Sequence, residues 1–202
     1  MAEINLNFNQ YLELEKLGLG IFKPVENFMN QEEFVNVINN LKFKKKIFPL
    51  PIFLDINQDT KNQISNHKKI ILKFNSKIVG YIINPEIFTL NKKKVAIKIY
   101  GTISNKHPGV NEFYKKGSWF IGGKTIFKRK ITHKFSKYEV LPSEIKKIIK
   151  KNKLKSIVGF QTRNVPHKAH EYLIRNSIEN YNAILIQPLI GQKKIGDYSP
   201  DI

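Results

Sequence analysis

The stretch that most constrains the fold of this chain runs from Lys155 to Asp197. It opens with the apolar run IVGF, passes through a polar loop, and takes up helical spacing near Pro166. A second apolar run follows at residues 183–186. This order predicts one β-α-β unit, in which the loop after the first strand and the first helical turn meet at the carboxyl edge of the sheet. Free backbone N–H groups and the positive helix end make that edge an anion site.

Five polar side chains fall at this predicted edge. His167 and His170 are three residues apart at the helix start, so both imidazoles project from one face. Arg163 lies in the preceding loop, where a planar guanidinium can hold a tetrahedral oxyanion through two parallel hydrogen bonds. Gln161 and Asn164 add amides that donate without adding charge. The set suits a nucleotide phosphate together with a second oxyanion.

The two histidines have other interpretations. Histidines three residues apart can ligate one metal ion, but the sequence offers no third His, Cys or suitably spaced carboxylate and no HExxH motif. We therefore predict no metal site. A purely structural role for both histidines at the helix start is the remaining alternative from the residues alone.

Charge and composition limit the possible partners. The formal net charge is +19, which would suit nucleic acid, yet 32 of the 35 basic residues are Lys, and Arg occurs only at positions 129, 163 and 175. Arg is the preferred residue for phosphate and base recognition, so solvated lysines explain the charge better than a nucleic-acid surface, and an anionic substrate field is the other alternative. The absence of Cys, of a secretory signal and of a long apolar run indicates a cytoplasmic protein without a membrane span.

The first 150 residues show mainly short strand-like runs. Residues 47–101 contain four of them, IFPLPIFLDIN, KKIILKF, KIVGYIINP and FTLNKKKVAIKIYG, and residues 118–131 resemble a hairpin with Gly122 and Gly123 in its turn. Together they predict a compact barrel or sandwich. A helix capped by Asn30 precedes them, and a connecting helix capped by Ser143 follows them. His107, before Pro-Gly, is interpreted as a structural residue that bonds a neighbouring backbone group.

Two motifs in the later part of the chain resemble those of ATP sulfurylase. The pattern Q-x-R-N-x-x-H-x-x-H is matched by Gln161, Arg163, Asn164, His167 and His170, and Q-P-L-x-G-x-x-K-x-G-D is matched by residues 187–197. Many members place Pro directly after the Asn, whereas this chain has Val165 and then Pro166.

Three earlier segments resemble the amino-terminal domain of the same family. They are GLGIFKPVENFMN, FPLPIFLDIN and YGTISNKHPGV. The first departs from the family pattern at Asn27, where a Gly is usual. The resemblance implies a mixed α/β fold: a PUA-like β-barrel with flanking helices over residues 1–150, then the first β-α-β unit of a Rossmann-like nucleotidyltransferase domain over residues 151–202, which is truncated.

The same resemblance implies an activity and its site residues. The reaction is MgATP plus sulfate giving adenosine 5'-phosphosulfate and pyrophosphate, or its reverse. Gln161 and Arg163 would hold sulfate, and Asn164, His167 and His170 would contact the ATP phosphates. Gly191 would allow close approach of the nucleotide, Asp197 would help to fix that loop, and Mg²⁺ would arrive with ATP.

The resemblance also implies that this chain is incomplete. The family's later G-R-D-H-A-G and S-G-T-x-x-R segments have no counterpart, so we expect a fragment that is inactive alone, and a full-length parent that forms a homo-oligomer. Two alternatives stay open: an RNA-binding PUA-like module, or a nucleotidyltransferase that uses a different acceptor.

Overall fold

A computed structural model describes residues 2–189, 196, 198–199 and 201. The chain forms two compact units, unit 1 at residues 1–131 and unit 2 at residues 132–202. The domain boundary expected between residues 150 and 151 remains a prediction. Within the described residues, no helix is both long and apolar enough to span a membrane.

Unit 1 is built on one mixed sheet, whose described strands follow the order β1-β5-β6-β7-β4. β1 pairs parallel with β5, and the other pairs are antiparallel. The sheet has edges at β1 and β4, and irregular register in the β5–β6 and β6–β7 pairs bends it into a curled half-barrel. The barrel prediction is therefore met only in part.

The strands of unit 1 are β1 (Glu3–Asn5), β2 (Lys42–Phe43), β3 (Lys46–Ile47), β4 (Leu54–Ile56), β5 (Lys69–Phe74), β6 (Lys77–Thr89) and β7 (Trp119–Phe127). β2 and β3 form a separate antiparallel pair.

Helices flank this sheet, and several begin at a side-chain cap. Asn30 caps α2 by accepting from the Glu33 N–H at 2.8 Å, while Glu33 returns a bond to the Asn30 N–H, which confirms the predicted capping box. His107 caps α5 by accepting from the Val110 N–H at 3.4 Å, which confirms its structural interpretation. The helices are α1 (Phe8–Gly18), α2 (Gln31–Asn40), α3 (Gln58–Ile64), α4 (Lys92–Tyr100) and α5 (Pro108–Lys115).

Two predicted β features of unit 1 are wrong. The run KKKVAIKIY is α4, not a strand; Asn91 caps it, and Val95 and Ala96 are buried. The predicted hairpin around Gly122 and Gly123 is instead the single strand β7. The glycines permit close packing there, because a Cβ at Gly122 would lie 2.4 Å from the Met29 carbonyl oxygen.

The core of unit 1 is dominated by phenylalanine. Phe120 packs against Phe53 at 5.2 Å between ring centroids and against Phe88 at 5.9 Å, and Phe34 meets Phe53 edge-on at 5.4 Å. Aromatic pairs of this kind add about 0.5–1.5 kcal/mol beyond the area that they bury. The cluster joins α2 to β6, to β7 and to the segment that leads into β4.

A buried carboxylate links four separate segments of unit 1. Asp55 accepts from the Gly117 N–H at 2.7 Å and from Gln10 Nε2 at 3.2 Å, and its carboxylate lies 3.7 Å from the Lys116 ammonium. Lys92 lies next to this group and donates to the carbonyls of Tyr114 and Lys116, at the end of α5. The first helix, β4, α4 and the end of α5 are thereby joined by hydrogen bonds.

Unit 2 contains the predicted β-α-β unit. β8 (Ile157–Thr162) and β9 (Ala183–Pro188) pair in parallel, with Ile157 opposite Ala183 and Thr162 opposite Pro188, and α7 (Lys168–Asn180) connects them. A short 3-10 helix (Ser136–Tyr138) and α6 (Pro142–Lys151) precede β8. The prediction of Ser143 as the cap of the connecting helix is wrong: Leu141 holds that position, and Glu144 bonds its N–H.

Unit 2 buries little of its apolar surface. Among its described residues, Thr162 alone is buried. Leu173 and Ile178 of α7 are 50% and 62% exposed, and Ile186 of β9 is 49% exposed. Parallel strands are normally covered on both faces, whereas these side chains of the β-α-β unit are not.

Lys92 gives the first testable prediction. Burial lowers the pKa of Lys92 below its ordinary value of 10.5, although the Asp55 carboxylate opposes that shift. The unfolded chain therefore holds this proton more tightly than the folded chain, so the stability contributed at Lys92 rises as pH increases through the folded pKa towards 10.5. Lys92→Met should remove this dependence and, by leaving two carbonyls without their donor, destabilise unit 1 by about 1–3 kcal/mol.

Urea unfolding of wild type and Lys92→Met between pH 8 and pH 10.5, the ordinary pKa of a lysine, tests this. The stability difference between them should grow with pH. Lys93→Met, at an exposed neighbouring position, is the control and should behave as wild type. A pH-independent difference would show that Lys92 contributes packing alone.

Candidate active site

The candidate site begins where β8 ends. Thr162 closes the strand, and its hydroxyl accepts from the Asn164 N–H and donates to the Asn164 carbonyl, both at 3.1 Å. The Thr162 carbonyl accepts from the Leu189 N–H at 2.8 Å, just past the end of β9. One buried threonine thus fixes the loop after β8 and joins it to the segment after β9.

Two histidines cap the helix that opens from this loop. His167 is the N-cap of α7, and its Nδ1 accepts from the Ala169 N–H at 3.3 Å. His170 returns the contact, because its Nδ1 accepts from the His167 N–H at 3.3 Å. The two ring centroids are 4.0 Å apart, and Phe160 of β8 meets the His170 ring edge-on at 5.6 Å. The pair therefore forms a capping box made of imidazoles, held against the strand.

The capping bonds determine which ring nitrogen of each histidine remains available to a ligand. A ring nitrogen that accepts a hydrogen bond carries no proton, so each neutral imidazole holds its proton on Nε2. Both Nε2–H groups are then donors, and the neighbouring rings can serve one anionic group. The histidine arrangement thus presents Nε2–H donors beside the positive end of α7.

The other predicted site residues lie along the same edge. Gln161 is the penultimate residue of β8, and Arg163 and Asn164 lie in the loop that follows, all three with exposed side chains. The loop and the helix start thus bring Gln161, Arg163, Asn164 and the two histidines into one stretch of chain at the carboxyl edge. Gly191, predicted to allow close approach of the nucleotide, and Asp197, predicted to help to fix that loop, lie outside the described residues.

Two positioning residues were not predicted. Thr162 occupies the variable position of the Q-x-R-N motif, and its burial and bonding were not readable from the pattern. Asn182 lies at the opposite end of the unit, where its Oδ1 accepts from the N–H groups of Lys155 and Ser156, both at 3.1 Å. An Asn just before a strand was a possible turn signal.

The described residues do not form a metal-binding cluster. Across the part of the chain that the structure describes, no group of three or more His, Cys, Asp or Glu side chains could hold a metal ion. The described site is therefore built from amides, imidazoles, one guanidinium and backbone groups.

Comparison with protein families gives two consecutive matches. Residues 1–129 match the family described as PUA-like domain, and residues 136–202 match the family described as ATP-sulfurylase. The second match contains the whole β-α-β unit and all of the predicted site residues. The resemblance stated from the sequence motifs is confirmed.

Similar whole proteins extend this result. A sulfate adenylyltransferase of Pyrococcus abyssi is 28% identical over 201 residues, which cover 99% of this chain and 52% of that protein. A sulfate adenylyltransferase of Staphylothermus marinus is 29% identical over 203 residues, covering 100% of this chain and 53% of that protein. The chain thus spans about half the length of the curated relatives it matches.

One solved structure has a similar fold. It is titled as a hexameric APS kinase from Thiobacillus denitrificans, with a TM-score of 0.73 over 98% of this chain and 36% of that chain. The sequences are 17% identical, so the likeness concerns the fold.

The imidazole capping box gives the second prediction. His167→Ala removes the cap and should lower the opening free energy of α7 by about 0.5–2 kcal/mol, whereas His167→Asn keeps a capping oxygen and should stay near wild type. Hydrogen exchange of the α7 backbone amides of Leu173 and Ile174, followed by NMR, measures this. His133→Ala, outside the helix, is the control; equal exchange in His167→Ala and wild type would contradict the capping role.

Proposed function

The chain belongs to the PUA-like domain family, and because its remaining residues match ATP-sulfurylase, we propose that it is the amino-terminal part of a sulfate adenylyltransferase. The proposed reaction joins sulfate to the adenylyl group of MgATP, with release of pyrophosphate. The observation that carries the proposal is the His167–His170 capping box at the carboxyl edge of β8 and β9, inside the segment with the family match.

The sulfate side of the site is assigned to Gln161 and Arg163. Sulfate is a tetrahedral dianion, and a guanidinium presents two parallel donors to two of its oxygens. The Gln161 amide adds a neutral donor. Both residues flank Thr162, whose hydrogen bonds to Asn164 restrict the loop. Such restriction supports a site that holds its ligand in one orientation.

The nucleotide side is assigned to Asn164, His167 and His170, with Gly191 in the segment after β9. The start of α7 favours phosphate oxygens, because the helix dipole and the backbone N–H groups both point towards them. Nε2–H of each histidine is the donor that capping leaves available. Mg²⁺ would be carried mainly by the substrate ATP.

The proposed reaction depends on the positioning of its two substrates more than on proton transfer. A sulfate oxygen attacks the α-phosphorus, a bond forms between them, and the bond from the α-phosphorus to the bridging oxygen of the pyrophosphate breaks. Sulfate is already ionised, so no general base is required. Hydrogen bonds from Asn164, His167 and His170 stabilise the charge that collects on the α-phosphate and on the departing pyrophosphate.

The proposed enzyme extends beyond the present 202 residues. The exposed apolar side chains of α7 and β9 fit a longer sheet, and the curated relatives are about twice as long. We assign residues 1–150 to a PUA-like domain and residues 151–202 to the first part of a Rossmann-like nucleotidyltransferase domain. The parent protein is proposed to be a homo-oligomer.

This assignment predicts activity by completion. The chain alone should catalyse no sulfate-dependent exchange of pyrophosphate into ATP, because the site has only its first part. The chain extended by the second half of the Pyrococcus abyssi relative should catalyse it, with that second half alone as the control. Exchange by the 202 residues alone would contradict the assignment of a partial domain.

Arg163 gives the sharpest test of the sulfate site. In the completed protein, Arg163→Lys keeps the charge but loses the paired donors. This change should weaken the binding of sulfate by about 1.5–3 kcal/mol. Arg163→Ala should lose more, and both should affect the dependence on sulfate far more than the dependence on ATP. Exchange rates measured across a range of sulfate concentrations and a range of ATP concentrations separate the effect on sulfate from the effect on ATP.

Arg175→Lys is the matched control, since Arg175 lies on the same unit and pairs with Glu171 at 2.8 Å on the surface of α7. It should leave both dependences unchanged. If Arg163→Lys kept the wild-type dependence on sulfate, the sulfate would have to be held by another part of the site. That result would favour a nucleotidyltransferase with a different acceptor.

A further inference from the structure

One face of the unit 1 sheet is covered by α1. Gly80 of β6 pairs with Phe127 of β7, and a Cβ at Gly80 would lie 3.2 Å from Leu14 Cδ2 of that helix. The next pair of the same two strands is Tyr81 with Ile126. Because successive side chains of a strand point to opposite faces, Tyr81 and Ile126 lie on the face opposite α1.

Four apolar side chains lie together on that opposite face, and we call them the outer patch. Ile71 of β5, Tyr81 of β6 and Ile126 of β7 form one row across three strands, and Ile83 lies two residues after Tyr81 on β6. Ile126 is 40% exposed, and the other three are half-buried. Among the described residues, the core of unit 1 and the apolar side chains that pack against it include none of the four. The outer patch is therefore an apolar surface separate from the core.

The sequence of β6 is unusual for a strand that meets water on one face. Antiparallel strands of that kind normally alternate apolar residues with polar ones. Residues 78–83 of β6 instead read IVGYII, without a charged or amide side chain. A continuous apolar run is typical of a strand that is covered on both faces. The sequence of β6 thus indicates a further layer on the outer patch.

Lysines border the outer patch. Ile83 pairs with Lys69 of β5 and with Lys124 of β7, so a lysine lies on each side of it. Lys73, also at the border, forms an ion pair with Glu3. Lys69 and Lys124 are exposed, and neither has a carboxylate partner among the described residues. The surface that complements this border is therefore acidic.

The same border argues against two other occupants. A second copy of the chain, packed face to face on the outer patch, would bring its own lysines against these lysines, and opposed like charges are unfavourable. Nucleic acid would match the charge, but the Tyr81 ring already lies under the Lys69 ammonium, 4.4 Å from the ring centroid. The other three side chains of the patch are isoleucines, so the patch offers no free ring on which a base could stack.

The dimensions of the outer patch fit one helix. Neighbouring strands are about 4.8 Å apart, so three strands span about 10 Å, which is the diameter of an α-helix. A helix that lies along β6 would place an apolar stripe on the patch, with residues at i, i+3, i+4 and i+7. Carboxylates on the two sides of that stripe would then face Lys69 on one side and Lys124 on the other.

We propose that the outer patch binds an acidic amphipathic helix of another protein. Aliphatic side chains of that helix pack on Ile71, Tyr81, Ile83 and Ile126. Its Asp or Glu side chains pair with Lys69 and Lys124.

A synthetic helical peptide of about 18 residues, titrated into the ¹⁵N-labelled 202-residue chain, tests this by NMR. The peptide carries Leu along one helical face and Glu on both sides of that face. The backbone amide signals of Ile71, Tyr81 and Ile126 should shift and reach saturation. Ile126→Thr keeps a β-branched residue in the strand but removes apolar contact, and it should weaken binding about five- to tenfold.

Lys124→Glu tests the charge separately, at an exposed position where the fold does not depend on the side chain. It should weaken binding about two- to fivefold, the effect of one exposed ion pair, and the difference should shrink at high salt. The matched controls are Ile47→Thr and Lys46→Glu, which make the same changes at exposed positions of β3, outside the five-stranded sheet. Both should bind the peptide as wild type does.

Two further peptides separate the contributions. A peptide with Lys in place of Glu should show no saturable binding, because its charges repel the border of the patch. A peptide with Ser in place of Leu should bind at least about tenfold more weakly, because it has no apolar stripe.

Several results would overturn the proposal. They are no saturable shifts at millimolar peptide, equal binding of the Lys peptide, or binding unchanged by both Ile126→Thr and Lys124→Glu. A dimer in sedimentation that Ile126→Thr dissociates would assign the patch to a second copy. Oligouridylate or phosphatidylserine vesicles that shift the same signals more strongly than the peptide would assign it to nucleic acid or to a membrane surface.

The completed chain, extended by the second half of the Pyrococcus abyssi relative, provides the last arm. It should bind the Glu peptide as the 202 residues do, and loss of binding would assign the patch to the parent's own second half. Because every reporter and variant lies in unit 1, these outcomes are independent of the proposed catalytic site.

Discussion

The candidate site depends on the parallel pairing of β8 and β9. Two parallel strands cannot be joined by a tight turn, so the chain between them must cross over the sheet, and here it does so as α7. The crossover brings the start of α7 to the edge where both strands end. The Leu189 N–H bond to the Thr162 carbonyl continues the pairing one residue beyond β9, so Leu189 lies beside the residue that ends β8. The positions of Arg163 and His167 follow from this topology.

Local patterns predicted unit 2 better than unit 1. The β-α-β unit needed only two apolar runs, a polar loop and a helical spacing, all of which are local. In unit 1, KKKVAIKIY alternates enough to resemble a strand, yet Asn91 caps it and its Val95–Ala96 pair is buried by tertiary packing, which local pattern does not contain. The Gly122–Gly123 pair predicted a turn, but the approach of the Met29 backbone explains Gly122, and a backbone φ of +136° explains Gly123. The role of Thr162 was not predicted, because it depends on hydrogen bonds that form only in the folded loop.

The two units handle charge in different ways. In unit 1 the carboxylate of Asp55 is surrounded by a backbone N–H, an amide and an ammonium, so its charge is compensated locally. In unit 2 the edge of the sheet collects Arg163, the helix start and two imidazole donors. A chain with 35 basic residues and 16 acidic ones therefore compensates a buried carboxylate in one unit and collects positive groups at a sheet edge in the other. The overall net charge describes neither site.

The capping box also limits what the histidines can do in the proposed reaction. While Nδ1 of each ring accepts a backbone N–H, that atom can neither carry a proton nor ligate a metal. In the proposed reaction Arg163 would supply a full positive charge, while the histidines would contribute direction through Nε2–H. This division explains why two imidazoles suit the helix start better than two lysines: a lysine has no acceptor with which to cap the helix.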